Sequence, residues 1–390
     1  MALVLPDTTW IERGARRRAG AEAVALGRSR ALVVTDAFIA SSGVAGEVGD
    51  GLLDAGLAVA VFDGVEPDPT DAAVDEGRAA LNAHEADVVV AVGGGSALDA
   101  AKMIAARGAN PGPLRQYMGY QQLAGAGLPV IAIPTTAGTG AEATRVVVIT
   151  DTSTDTKLML LDDRLCPTVA LVDVELSATM PRPLTAHVGV DTLTHGIEAY
   201  VSAKATAETD PLALACVRRC GEHLEAAWRD GSDLEARAGM ARAAYEGGAA
   251  FANASVCLVH GMSRPLGAVF HVPHGLSNAV LLPAVTAFSL PGAPGRYAEV
   301  ARTLGLAGGG ASDGGPTSDE EAGRALLRGL GELNERLEVP RLRDLPGVTR
   351  EAFDAALPKM ASDALDSGSP DRNPVVPTAA QIEDLYRAAW

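Results

Sequence analysis

The sequence predicts an α/β half built on a mostly parallel sheet, followed by an all-helical half, with the boundary at about residue 183. Three observations predict it. Short apolar runs alternate with amphipathic stretches through the first part of the chain, as when strands are joined by helices that cover a sheet. One run, Asp87-Val88-Val89-Val90-Ala91-Val92, is continuous and β-branched, as in a strand buried on both faces. After Pro181-Arg182-Pro183 the apolar spacing turns helical almost throughout. The expected domains are therefore 1–183 and 184–390.

Taken in order, Ala31-Leu32-Val33-Val34-Thr35-Asp36 reads as a strand ending in a carboxylate, with a helix over 38–55 and a strand over 58–62 after it. Pro67-Asp68-Pro69-Thr70 breaks the chain, and Thr70 is placed to cap a helix reaching about His84. The strand over 87–92 runs straight into Gly93-Gly94-Gly95-Ser96 and a helix over 97–106. Residues 128–134 form another strand, followed by the hydroxyl- and glycine-rich Thr135-Thr136-Ala137-Gly138-Thr139-Gly140-Ala141-Glu142. Residues 145–150 and 157–161 read as the arms of a hairpin, and 169–173 as the last strand. Helices are expected over 210–230, 234–262, 276–288, 318–337, 350–361 and 378–389, with a flexible glycine-rich loop over 307–316. No internal repeat is visible.

At 390 residues the chain is long enough for two domains with a large core. It is 47% hydrophobic and only 4% aromatic, an alanine-rich globular composition. A formal charge of −17 argues against nucleic acid or an anionic membrane as partner, because both require a basic face. No apolar run approaches the roughly twenty residues that span a bilayer, and the first residues lack the order of a secretion signal, so a cytoplasmic location is the default expectation. Cys166, Cys216, Cys220 and Cys257 form no CxxC pair and read as reduced small hydrophobes, with Cys216 and Cys220 one helical turn apart.

Two features carry chemistry. Bare N–H groups at a glycine turn that opens a helix can hold a diphosphate, and the loop after Pro134 offers hydroxyls to the same ligand. Asp36, at its strand end, either accepts from an adenosine ribose, which favours NAD over NADP, or caps the next helix. In the helical half, Asp191 and His195 lie one turn apart on one helix face. With His260 and His274 they make three imidazoles and one carboxylate, a set that suits Fe2+ or Zn2+ better than calcium or magnesium; the alternative is a set of ordinary buried histidines. The two halves together suggest a nicotinamide cofactor working with a Lewis acid, with hydride passing between an alcohol carbon and the cofactor.

Four stretches then carry a resemblance that covers essentially the whole chain. They are Gly93-Gly94-Gly95-Ser96-Ala97-Leu98-Asp99-Ala100-Ala101-Lys102, the loop Pro134 through Glu142, Gly189-Val190-Asp191-Thr192-Leu193-Thr194-His195-Gly196-Ile197-Glu198-Ala199-Tyr200, and Pro265-Leu266-Gly267 leading to His271-Val272-Pro273-His274-Gly275. The sequence resembles the iron-containing (group III) alcohol dehydrogenases. The resemblance implies an N-terminal dinucleotide-binding, Rossmann-like domain and a helical C-terminal domain, an architecture shared with dehydroquinate synthase. It implies a metal on Asp191, His195, His260 and His274, diphosphate contacts from Gly94, Gly95 and Ser96, and nicotinamide-side contacts from Thr135 and Thr136. Gly93, Asp99, Thr139 and Lys157 join these as cofactor-side candidates. A small alcohol or aldehyde is the implied substrate, and a homodimer or higher assembly the implied state.

Arg264 departs from the family pattern, which often has a further His four residues after the third ligand. It either binds an anionic group on the substrate, such as a carboxylate or phosphonate, or makes a structural ion pair. His271 either relays a proton to solvent or supports the ligands. Ala141 stands where relatives often have Ser. The competing activities are a maleylacetate-reductase-type reduction and a dehydroquinate-synthase-like lyase or cyclase reaction without net oxidation.

Overall fold

The computed structural model describes residues 2–154, 156–307 and 318–390, so most of the expected glycine-rich loop lies outside the described residues. The chain divides into two compact units, one of them Val4–Thr179 and the other centred on Met180–Trp390.

The first unit holds the strands β1 (Thr8–Glu12), β2 (Arg30–Asp36), β3 (Ala58–Val65), β4 (Val88–Gly93), β5 (Gly119–Tyr120), β6 (Val130–Pro134), β7 (Val146–Asp151), β8 (Thr156–Leu161) and β9 (Val169–Asp173). Six of them form one parallel sheet in the order β1-β9-β6-β4-β2-β3. Successive β2 residues show why it is sandwiched. Ala31 and Val33 enter one core cluster with Val88, Val90, Ile131 and Ile133, while Leu32 and Val34 enter the other with Val89, Ala91 and Ala132. Helices α1 (Ala19–Ala25) and α3 (Val44–Asp54) contribute to the first cluster, and α4 (Asp71–Ala83) and α5 (Gly95–Ala106) to the second. The predicted hairpin is present as antiparallel β7 and β8, which with β5 make a small second sheet.

Two predicted helices are each broken in two. The expected helix over 38–55 is a short α2 (Ala37–Ser41) and then α3, because Gly43 takes φ 87° between them. The edge strand β1, without an alternating pattern, and helix α1 were not expected at all.

The second unit is helical: α6 (Arg182–Val201), α7 (Asp210–Arg229), α8 (Leu234–Ala254), α9 (Leu258–Phe270), α10 (His274–Ser289), α11 (Pro294–Thr303), α12 (Asp319–Arg336), α13 (Arg350–Asp366) and α14 (Ala379–Ala388). Here the expected 234–262 helix stops at Ala254. Ser255 adopts φ 74°, and the chain restarts at Leu258 as α9. The cause is tertiary: the Glu198 carboxylate on α6 accepts from the N–H groups of Cys257 (2.9 Å) and Val259 (2.6 Å) and so caps α9 from a distant helix.

Helix α6 is the centre of this unit. Every residue from 189 to 201 is buried. Glycines let neighbours approach it: a Cβ on Gly189 would lie 2.1 Å from a Leu224 methyl on α7, and one on Gly196 would lie 3.0 Å from Cys216 Sγ. Among the described residues one stretch, His274–Gly292, is long and apolar enough to cross a membrane by length and composition alone. It is more than half buried in this unit and carries two polar side chains of the site described next, so core packing accounts for its apolarity. Cys216, Cys220 and Cys257 are buried free thiols, as expected, while Cys166 is half-buried.

Candidate metal centre and cofactor loops

The i,i+4 spacing of Asp191 and His195 on α6 does what helical geometry requires: both side chains reach one point. His260 comes to the same point from the first turn of α9, and His274 from the first residue of α10. Asp191 Oδ1 lies 3.7 Å from His195 Nε2, 3.6 Å from His260 Nε2 and 3.9 Å from His274 Nε2. Ligand atoms around a four-coordinate zinc or iron at about 2.1 Å are about 3.4 Å apart, so this set needs to contract by only a few tenths of an ångström. Asp191, His195 and His260 are buried, whereas the His274 side chain is 47% exposed. Of the four side chains, His274 is therefore the one within reach of solvent.

The electrostatics agree with a cation site. Burial alone would raise the Asp191 carboxyl, but the imidazoles of His195, His274 and His260 outweigh it and hold it well below the usual carboxylate range. Glu198 Oε2 accepts from His260 Nδ1 at 2.7 Å. A carboxylate only accepts, so this bond places a proton on Nδ1, which leaves Nε2 as the ring atom that would ligate a cation. Phe251 stacks on the His195 ring at 4.5 Å and 27°, covering its outer face.

Two residues at this centre escaped sequence reasoning. Glu198 follows Asp191 by seven residues, the spacing that returns to the same helix face, and that was the available signal. Asn278 follows His274 by four, as His195 follows Asp191; its Nδ2 lies 2.6 Å from Asp191 Oδ1.

Arg264, one turn beyond His260 on α9, gives a hydrogen bond to Ser369 Oγ at 3.0 Å. Among the described residues no carboxylate lies within 4 Å of it, so the structural ion pair weighed for it is not found. Burial lowers its pKa, with Glu198 opposing. His271 ends α9 at φ 54° and is exposed; no hydrogen bond joins it to the ligand set among the described residues.

In the α/β unit, adjacent strands β2, β4 and β6 bring most of the cofactor-side candidates to their carboxyl ends. The chain runs from β2 outward to β3 and then returns to β4 on the other side of β2, so Asp36 and Gly93 stand at a topological switch point, where open α/β sheets bind ligands. Gly93 O accepts from Thr135 N at 2.9 Å. A Cβ on Gly94 would lie 3.6 Å from Thr136, and one on Gly95 only 2.9 Å from a Thr139 methyl, so the glycine turn and the threonine loop are in contact. Helix α5 starts here at Gly95, two residues earlier than expected, and no side chain caps it. Ser96 lies in that first turn.

Asp36 caps α2, accepting from Ile39 N at 2.9 Å through Oδ1, while Oδ2 faces Gly93. The other two candidates are engaged elsewhere. Asp99 accepts from Val148 N at 2.9 Å and lies 3.5 Å from buried Lys102, and Lys157 is ion-paired with Asp68.

Comparison with known proteins decides the family. The model of the iron-containing alcohol dehydrogenases matches residues 6–174, and that of the family's C-terminal part matches residues 185–390. The chain belongs to the iron-containing alcohol dehydrogenase family. Members with which this dehydrogenase aligns over nearly full length include the NAD-dependent methanol dehydrogenase of Bacillus methanolicus, 37% identical over 99% of this chain and 98% of the relative. The lactaldehyde reductase of Escherichia coli K12 is 37% identical over 100% and 99% of the two chains. Among solved structures, a 1,3-propanediol oxidoreductase superimposes with a TM-score of 0.94 at 35% identity, covering 100% of this chain and 99% of that one. These relatives are alcohol and aldehyde oxidoreductases, and that is the class of this family member.

Proposed function

We propose that this protein is a metal-dependent NAD alcohol dehydrogenase that interconverts a small primary alcohol and its aldehyde. The observation that carries the proposal is the convergence of Asp191 Oδ1 with the Nε2 atoms of His195, His260 and His274. The donor set fits Fe2+ or Zn2+, and such a cation supplies Lewis acidity that polarises a carbonyl. Glu198 sets the His260 tautomer, Phe251 shields His195 from water, and the exposed His274 edge admits substrate. Residues 1–183 would bind the cofactor and 184–390 the metal.

On the cofactor side, Gly93, Gly94, Gly95 and Ser96 would hold the diphosphate at the uncapped start of α5, and Thr135, Thr136 and Thr139 would line the same ligand. Asp36 fills its capping role with one oxygen and would give the other to the ribose, favouring NAD over NADP. Asp99 and Lys157 would support the loops rather than touch the cofactor. His271, exposed at the end of α9, would exchange protons with solvent. A homodimer in the cytoplasm belongs to the same proposal.

Arg264 favours an aldehyde with an acid group, since its guanidinium is partly buried yet has no carboxylate partner among the described residues. The test is anaerobic purification, metal analysis and NADH oxidation against paired aldehydes, one neutral and one carrying a carboxylate or phosphonate. Metal near one per chain with NADH turnover supports the proposal. Turnover without change in NADH would support the lyase reading instead, and protein with no affinity for metal would remove the site.

A further inference from the structure

We propose that Asn278 is a positioning residue of the cation site, one that holds the ligand oxygen of Asp191 through an amide N–H. The inference rests on the metal reading above and adds a further residue to it. Asn278 lies one turn after His274 on α10 and is fully buried. Its Nδ2 is 2.6 Å from Asp191 Oδ1, 3.1 Å from His260 Nε2 and 3.2 Å from His274 Nε2. The shortest of these is at the short end of N–H···O bonds, as expected when the acceptor is ionised.

The orientation of the amide is decided by its surroundings. Oδ1 of Asn278 is also buried and has no hydrogen-bond partner among the described residues. Turning the amide over would place that oxygen 2.6 Å from the Asp191 carboxylate oxygen, acceptor against acceptor. The donor side therefore faces the ligands even though the acceptor side is left unpaired.

The consequence is orientation of Asp191. An aspartate at the centre of three imidazoles can present either oxygen through a broad torsion. The Asn278 amide selects Oδ1 and fixes it at the point the imidazoles share. Because His274 and Asn278 sit on the same rigid turn, any tilt of α10 moves ligand and positioning group together.

The test is calorimetric titration of the chelator-stripped full chain with Zn2+, for the wild type, Asn278→Ala and Asn278→Leu. Supporting partners of metal ligands are typically worth roughly 10- to 100-fold in affinity, and Asn278→Ala should lose that much. Asn278→Leu keeps roughly the size but cannot donate, so it should bind Zn2+ no better than the Ala variant. The absorption spectrum of the Co2+-loaded Ala variant should differ from wild type, which a distant packing effect would not produce. Far-UV circular dichroism and the urea-unfolding midpoint report that each variant has folded, and the similarly sized Leu variant serves if the Ala variant does not. Wild-type affinity in both variants, or wild-type affinity regained in the Leu variant alone, overturns the proposal; the second result would make residue 278 a space-filling group. A wild-type chain that takes up no Zn2+ would instead sink the metal reading itself.

Discussion

Glu198 serves three donors at once: the N–H groups of Cys257 and Val259 and the Nδ1 of His260. Glu198→Gln keeps the size but turns one oxygen into a donor, so at least one bond is lost. Metal affinity should fall by roughly 10-fold or more, read by titration of the stripped protein, and an unchanged affinity would remove Glu198 from the site. Arg264→Leu should raise KM for an aldehyde bearing an acid group while sparing a neutral one of the same length. Equal effects on both substrates would show that the guanidinium does not read charge. In the α/β unit, burial pushes the Glu142 carboxyl up from 4.5 to about 7, with its own backbone N–H and Lys102 opposing. The folded state then binds a proton more readily at this group than the unfolded one, so the contribution of Glu142 to stability is greatest below 4.5 and declines until about pH 7. Urea unfolding at about pH 5 and about pH 8 should show a smaller decline for Glu142→Gln than for wild type.

At the scale of elements, the site depends on how closely α7 and α8 approach α6. A Cβ on Gly247 of α8 would lie 3.0 Å from Cys216 Sγ and 3.3 Å from His195 Cβ. Gly247→Val adds two further methyls where none fits, and overpacking of this kind costs about 1–3 kcal/mol. Urea unfolding should show that loss together with reduced metal content, because His195 is displaced; full metal content would place the strain elsewhere. Some element boundaries could be read from single residues: Thr70 caps α4 by accepting from Ala73 N, as its position after Pro69 implied. Others could not. The end of α8 at Ala254 and the restart at Leu258 lie in a stretch whose own composition suits a continuous helix, and a carboxylate from α6 decides the break. Gly43 was a weaker miss, since a glycine inside a helical pattern is often tolerated.

For the whole molecule, a bound cation stabilises whatever fold holds its ligands together. With free metal at about 100 times Kd the gain is about 2.7 kcal/mol. Stripping with a chelator should lower Tm, and Zn2+ should restore it; a Tm indifferent to both would count against a site that joins α6, α9 and α10. The sequence by itself determined the α/β-then-helical order, the strands β2, β4, β6 and β9, and the pairing of Asp191 with His195. Those are short-range properties, set by β-branched runs and by the 3.6-residue turn. It also carried enough of the family's motifs to name the four candidate ligands. Only the tertiary structure decided that Glu198 orients His260, that Asn278 faces Asp191, that Arg264 has no carboxylate within 4 Å among the described residues, and that Asp99 and Lys157 are engaged away from the glycine turn. Each of these depends on which helices or strands lie side by side, and contacts between residues tens of positions apart leave no local pattern in one sequence.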